Sequence, residues 1–172
     1  MAEADGVIRG AVISDDQRYR YQLVRGWSGE PPIVWVMLNP STADGTQDDH
    51  TIRKIVQFSR NWGYGSLTVV NLFALRATKP TALVDQHRGG DNVIGTDNDA
   101  HIIQAATTAP LIVAGWGNGV DAPFFLPRVK AVGKLLENKA VMCLGLTQSG
   151  QPRHPLYLPY DAKLAPWRLD LR

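Results

Sequence analysis

The sequence predicts an α/β fold: a three-layer sandwich with a mostly parallel central sheet of about four strands, preceded by an N-terminal β-hairpin. Three observations lead there. Short apolar runs recur at 33–38, 66–70, 111–114 and 140–144, as expected for strands buried on both faces. Helical spacing appears between them, most clearly in Ile52, Ile55, Val56, Ser59 and Trp62. The stretch 33–70 then reads as strand, loop, helix, strand, a βαβ unit whose crossover is right-handed in nearly every known case.

At 172 residues the chain has the size of one ordinary domain, so 1–172 is taken as a single α/β domain, with 1–30 the hairpin region and 31–172 the core. Apolar residues make up 44% and charged residues 20%, which places the chain among globular proteins and excludes disordered or fibrous classes. The acidic start Met1-Ala2-Glu3-Ala4-Asp5-Gly6 lacks the apolar stretch of a secretory signal, and no apolar run approaches the ~20 residues of a membrane span. A cytoplasmic protein is expected.

Taken in order, 7–14 and 19–27 are β-prone and joined by Asp15-Asp16-Gln17, a hairpin. The segment 28–32 breaks the chain before the first central strand, 33–38, which Asn39-Pro40 ends. A helix begins at Asp49 or His50 and stops at Gly63; 66–70 is the next strand. Loops come next at 71–80 and 86–97, the second rich in Gly and Asp and a candidate lid. A helix over 98–107 leads to the strand 111–114, and a helix from about 127 to 137, with Val129, Val132, Leu135 and Leu136 inward, leads to the strand 140–144. The single cysteine, Cys143, excludes an internal disulfide, and its apolar setting marks a structural thiol.

Ligands of open parallel sheets bind beyond the carboxyl ends of the strands. The first strand runs into Asn39-Pro40-Ser41-Thr42-Ala43-Asp44, the second into Asn71-Leu72-Phe73, the third into Trp116-Gly117-Asn118, and the fourth into Thr147 through Arg153-His154-Pro155. Two asparagines, a tryptophan and a histidine would share one rim. Each also has a plainer role: Asx turns for Asn39 and Asn71, packing for Trp116, a loop position for His154, and helix capping for Asp44, Asp48 and Asp49, the preferred reading for Asp49.

No metal is expected, because His50, His87, His101 and His154 are scattered without ligand spacing; a site at Asp44, Asp48, Asp49 and His50 is the minor alternative. Walker, GxGxxG, GxSxG and CxxC patterns are absent, so no cofactor is expected either. The net charge of +2 does not by itself announce a nucleic-acid binder.

The stretches MLNPSTAD, DDHTIRKIVQFSRNWGYGSLTVVNLFALRATKP and GLTQSGQPRHPLYL resemble an uncharacterised bacterial domain-of-unknown-function family, number 1643, over nearly the whole chain. The order of motifs also distantly resembles the uracil-DNA glycosylase superfamily, with MLNPS in place of its first strand-end motif, VVNL supplying a later asparagine and RHPLYL the terminal loop. That resemblance implies a water-positioning Asn39, a base-recognising Asn71, a His154 facing the base carbonyl and a Leu158 wedge that fills the space of a flipped base. It also implies an aromatic that stacks on the base, for which Phe58 and Phe73 are the candidates. Met37 replaces the usual glycine, Leu156 and Tyr157 replace the loop serines, and no four-cysteine cluster exists for an iron-sulfur branch.

The function so implied is hydrolysis of an N-glycosidic bond, releasing a damaged or modified base from DNA. Asn39 and His154 are the catalytic candidates. Asn71, Pro40, Ser41, Phe73, Trp116, Arg153, Tyr157 and Leu158 are the substrate-binding ones, with Asp44 and Asp48 auxiliary. Arg53, Lys54, Arg60, Arg76, Lys79 and Arg153 are candidate phosphate contacts. The alternatives are a non-catalytic module that binds nucleic acid or nucleotide, and a hydrolase of free nucleosides or nucleotides.

Overall fold

In the computed structural model, which describes residues 2–4, 7–119 and 121–169, the apolar runs pair into one mixed sheet of eight strands. The strands are β1 (Ala2–Ala4), β2 (Val7–Ile13), β3 (Arg20–Gly26), β4 (Pro32–Met37), β5 (Ser66–Asn71), β6 (Leu111–Ala114), β7 (Val141–Cys143) and β8 (Ala165–Pro166). Their spatial order is β1-β2-β3-β5-β4-β6-β7-β8. The helices are α1 (His50–Asn61), α2 (Thr81–Arg88), α3 (Asn98–Thr108) and α4 (Ala122–Leu135), with a 3-10 turn at Pro155–Tyr157.

The strands β5, β4, β6 and β7 run parallel to one another. The pairings β1 with β2, β2 with β3, β3 with β5 and β7 with β8 are antiparallel. A mostly parallel sheet of about four strands therefore understates the architecture, which is a mixed α/β fold. The expected hairpin is not an appendage: Leu23 pairs with Val69 and Arg25 with Leu67, so β3 continues the main sheet.

β4 reads as an unbroken apolar run because both its faces are covered. Ile33, Trp35 and Met37 pack with Ile52, Ile55 and Phe58 of α1. Val34 and Val36 point the other way, toward Leu83 of α2, Ile102 of α3, and Val129 and Val132 of α4. Each such side chain contributes roughly 1.5–3 kcal/mol when withdrawn from water. Asp49 caps α1, its carboxylate accepting the Ile52 N–H at 2.9 Å, and Gly63 leaves the helix at φ 83°, a conformation glycine adopts without strain.

Several boundaries differ from expectation, each for a physical reason. The helix expected from 127 begins at Ala122; Pro127 sits inside it on an exposed face and forfeits only the bond to the Pro123 carbonyl. α2 lies in a stretch assigned no element, because it has no side-chain cap and buries only Leu83 and Val84. The candidate lid is fastened: the Ala74 and Leu75 N–H groups donate to Ile94 and Val93, and Tyr19 Oη donates to the Asn92 carbonyl at 2.6 Å. Asn92 Oδ1 in turn accepts the N–H groups of Ile94 and Gly95. Cys143 is buried, and that burial pushes its thiol pKa up, as suits an unreactive core residue. Among the described residues, no helix is long and apolar enough to cross a membrane.

Candidate functional site

The chain passes from β4 through α1 to β5 on one side, while β6 lies on the other side of β4 and leads to α4 on the opposite face. Loops that part in this way open a crevice at the carboxyl ends of the strands. A cleft of about 510 Å³ lies there. Of the residues expected at the site, it gathers Asn39, Ser41, Asn71, Trp116, His154 and Tyr157.

Asn71 is the last residue of β5, in register with Met37 of β4. It is 1% exposed, and among the described residues neither its Oδ1 nor its Nδ2 has a hydrogen-bond partner. Burying polar groups unpaired costs about 1–3 kcal/mol each, so this amide is an expensive feature unless something docks against it. It brings a planar donor and acceptor to the cleft wall.

The Asn39 amide is oriented from within the protein. Its Nδ2 donates to the carbonyls of Pro40 and Ala77, both at 2.9 Å, which leaves Oδ1 as the free acceptor. Pro40 is buried and serves as that anchor rather than as part of the cleft wall.

His154 Nδ1 accepts the Leu156 N–H at 3.2 Å, so the neutral ring carries its proton on Nε2 as a donor. Burial pushes the His154 pKa below its ordinary value, with the charge of Asp49 acting in the opposite sense. The imidazole is therefore neutral at pH 7.

Two residues not among the expected site residues also line the cleft. Asp49 caps α1 as preferred, but it also lines the cleft, as the one carboxylate among the described residues that does so. Arg20, at the start of β3, is 3% exposed and lines the same cleft; burial pushes its pKa down to about 10, so it stays charged at neutral pH. The signal for Arg20 was a charged residue within a β-prone stretch. For Asp49 it was adjacency to the first motif.

Other expected site residues stand elsewhere. Leu158 is 3% exposed and packs in the core beside Ile52 and Ile55, so it is no wedge. Phe73 stacks on Phe124 at 4.8 Å in a different hollow, and Phe58 is buried against the Trp35 and Trp62 rings, so neither offers a ring to the cleft. The aromatic side chains that do line it are Trp116, whose Nε1 donates to Gln151 Oε1 at 3.0 Å, and Tyr157, 85% exposed beside His154. Arg153 is exposed and outside the cleft wall. Asp44 accepts the N–H groups of Thr46 and Gln47, and Asp48 pairs with Arg25 and Arg9, so both carboxylates hold the loop together.

Four of the six expected phosphate contacts are also engaged elsewhere. Arg53 donates to the Asp48 carbonyl, Lys54 lies over the Tyr160 ring, Arg60 over Trp27, and Arg76 donates to the Gln17 carbonyl. Neither these four nor Lys79 lines the cleft.

The profile of a family described as "Protein of unknown function (DUF1643)" matches residues 20–156, and the chain belongs to that family. The matched span begins at Arg20 and takes in every cleft residue discussed above except Tyr157. No curated protein and no solved structure matches the chain, so the likeness to the uracil-DNA glycosylase superfamily gains no support from these comparisons.

Proposed function

We propose that this member of the DUF1643 family hydrolyses an N-glycosidic bond and releases a damaged or modified base from DNA. The observation that carries the reading is Asn71, a buried amide with both its donor and its acceptor unpartnered at the cleft wall. The edge of a nucleobase offers the complementary acceptor and donor in one plane. A ligand that supplies both removes the cost of leaving them unpaired.

The chemistry is set by the groups around it. Asn39 Oδ1 and the Asp49 carboxylate hold a water. As its oxygen bonds to the anomeric carbon, its proton passes to Asp49 and the carbon–nitrogen bond breaks, leaving the electron pair on the base. His154 Nε2–H donates to the base carbonyl on which that charge collects, a contribution of roughly 3 kcal/mol for one well-placed donor. A base drawn from a duplex costs a few kcal/mol to unstack, which favours bases whose pairing is already weak. Tyr157, exposed at the rim, takes the place in the gap that Leu158 does not reach.

A second reading, hydrolysis of free nucleosides or nucleotides, is favoured by one observation: four of the six basic residues expected to grip a duplex, Arg53, Lys54, Arg60 and Arg76, are turned onto their own neighbours. The test incubates the protein with single- and double-stranded oligonucleotides, and with the matching nucleosides and nucleotides, that carry uracil or deaminated, alkylated or phage-type modified bases. Release of one base by the wild type and not by Asp49→Asn supports the reading. Release from none contradicts it.

A further inference from the structure

Three arginines are almost completely buried, and they differ in how their charge is met. Arg25, 2% exposed, has Asp48 at 2.7 Å, and Arg128, 5% exposed, has Asp99 at 2.6 Å. Arg20, 3% exposed, has no carboxylate within ion-pair distance among the described residues. An uncompensated buried charge is among the costliest features a fold can carry.

The guanidinium is also incompletely bonded. Nη1 donates to the Ala43 carbonyl at 2.6 Å, while Nε is buried without a partner. Among the described residues Nη2 has no acceptor and, unlike Nε, it is not a fully buried orphan; Arg20 lines the cleft, which leaves Nη2 as the nitrogen free to meet a ligand there. Ser41 and Thr51, which carry hydroxyls, line the same cleft. Asp49 is close enough to favour the charge on Arg20 yet does not pair with it, and one of its oxygens is taken by the Ile52 N–H. A charged, planar fork with an unused N–H suits a phosphate oxygen, which guanidinium groups bind through parallel hydrogen bonds.

We propose that the Arg20 corner of the cleft is an oxyanion subsite that holds a phosphate of the substrate, with Ser41 and Thr51 as neutral donors beside it. The inference rests on the nucleobase reading of this cleft for what carries the phosphate, and two sources share the chemistry: the terminal monoester of a nucleotide and an internal diester of a nucleic acid.

The experiment titrates the full chain calorimetrically with inorganic phosphate, 2-deoxyribose 5-phosphate, deoxyuridine, deoxyuridine 5′-monophosphate and the dinucleotide of deoxyuridine. A hydrogen bond to a charged group contributes about 1.5–3 kcal/mol, so deoxyuridine 5′-monophosphate or the dinucleotide should bind roughly 10–100-fold more tightly than deoxyuridine. Arg20→Gln should abolish that difference, and Arg20→Lys should retain part of it. Tighter binding of the monophosphate names the monoester as the source; tighter binding of the dinucleotide names the diester.

Equal affinity with and without phosphate in the wild type overturns the proposal, as does an undiminished difference in Arg20→Gln. If Arg20→Gln does not fold, the wild-type comparison decides together with Arg20→Lys, in which loss of the double fork should weaken binding of 2-deoxyribose 5-phosphate. That probe carries no base, so its Arg20-dependent binding keeps the subsite even if the nucleobase reading fails. Binding of deoxyuridine without any phosphate effect does the reverse.

Discussion

The buried side-chain amide of Asn98 donates to the main-chain carbonyls of Asn71 at 2.9 Å and Leu72 at 3.2 Å, so the residue aimed into the cleft is held from behind by a second asparagine. Arg128 Nε secures the Leu72 carbonyl as well, at 2.6 Å. Asn98→Leu leaves the Asn71 carbonyl buried and unbonded and should lower stability by about 1–3 kcal/mol. Ligand affinity should fall with it, because the Asn71 strand end is no longer fixed. Denaturant melts alongside ligand titration check both; unchanged affinity at reduced stability would confine Asn98 to a structural role.

Asn71 itself should behave in the opposite way. Replacing an unpartnered buried amide with an apolar residue of similar shape removes a desolvation cost, so Asn71→Leu should melt at or above the wild-type temperature while losing base recognition. A variant that is less stable and still active would make the amide an ordinary structural element.

Asp49 caps α1 and, in the proposed reaction, takes a proton, two duties that substitution separates. Asparagine caps helices about as well as aspartate, so Asp49→Asn should keep stability within ~0.5 kcal/mol, whereas Asp49→Ala should cost about 1 kcal/mol. Both lose the carboxylate that accepts the water proton in the proposed reaction, and base release should fall about 10²-fold or more in each, the usual range for a general base. Equal activity in wild type and Asp49→Asn would remove the carboxylate from the chemistry.

Much of this arrangement was legible in the sequence, and the exceptions have a common cause. The four parallel strands announce themselves because both faces are covered, and the residues after them, Asn39, Asn71, Trp116 and His154, do meet in one cleft. Arg20 escaped that logic because β3 runs antiparallel to β5, so its first residue, not its last, lies at the carboxyl end of the parallel strands. Leu158 is placed by the resemblance of the RHPLYL loop, which does not reveal that the 3-10 turn Pro155–Tyr157 leaves Tyr157 exposed and Leu158 in the core. β8, with two exposed residues, carries no periodic signal at all.

The Tyr157 and Leu158 pair tests that last point. Leu158→Ala should destabilise the protein by about 2–5 kcal/mol, the cost of a cavity in a packed core. Tyr157→Ala should leave stability within ~0.5 kcal/mol, as at other surface positions, and weaken binding to duplex oligonucleotides. Chemical denaturation and a binding isotherm separate the two effects.

His154 predicts a direction on the pH axis. Burial holds its folded-state pKa below the ordinary value of about 6.5, so the unfolded chain takes up the proton first. The stability that the neutral ring contributes is fully present above that value and is lost as pH falls through the folded-state pKa. Wild type should therefore lose stability on acidification below about 6.5 more steeply than His154→Gln, and the acid limb of activity should lie below the ordinary histidine range. Parallel acid dependences in the two proteins would exclude His154 as the group responsible.

The most direct test of the central claim is calorimetric titration of wild type and Asn71→Leu with a series of free nucleobases, normal and modified, with melting temperatures measured on the same samples. The account predicts that one base binds the wild type, that Asn71→Leu loses this binding by roughly tenfold or more, the share of one to two neutral hydrogen bonds, and that the variant is no less stable. Binding of no base, or equal binding by the variant, would contradict it.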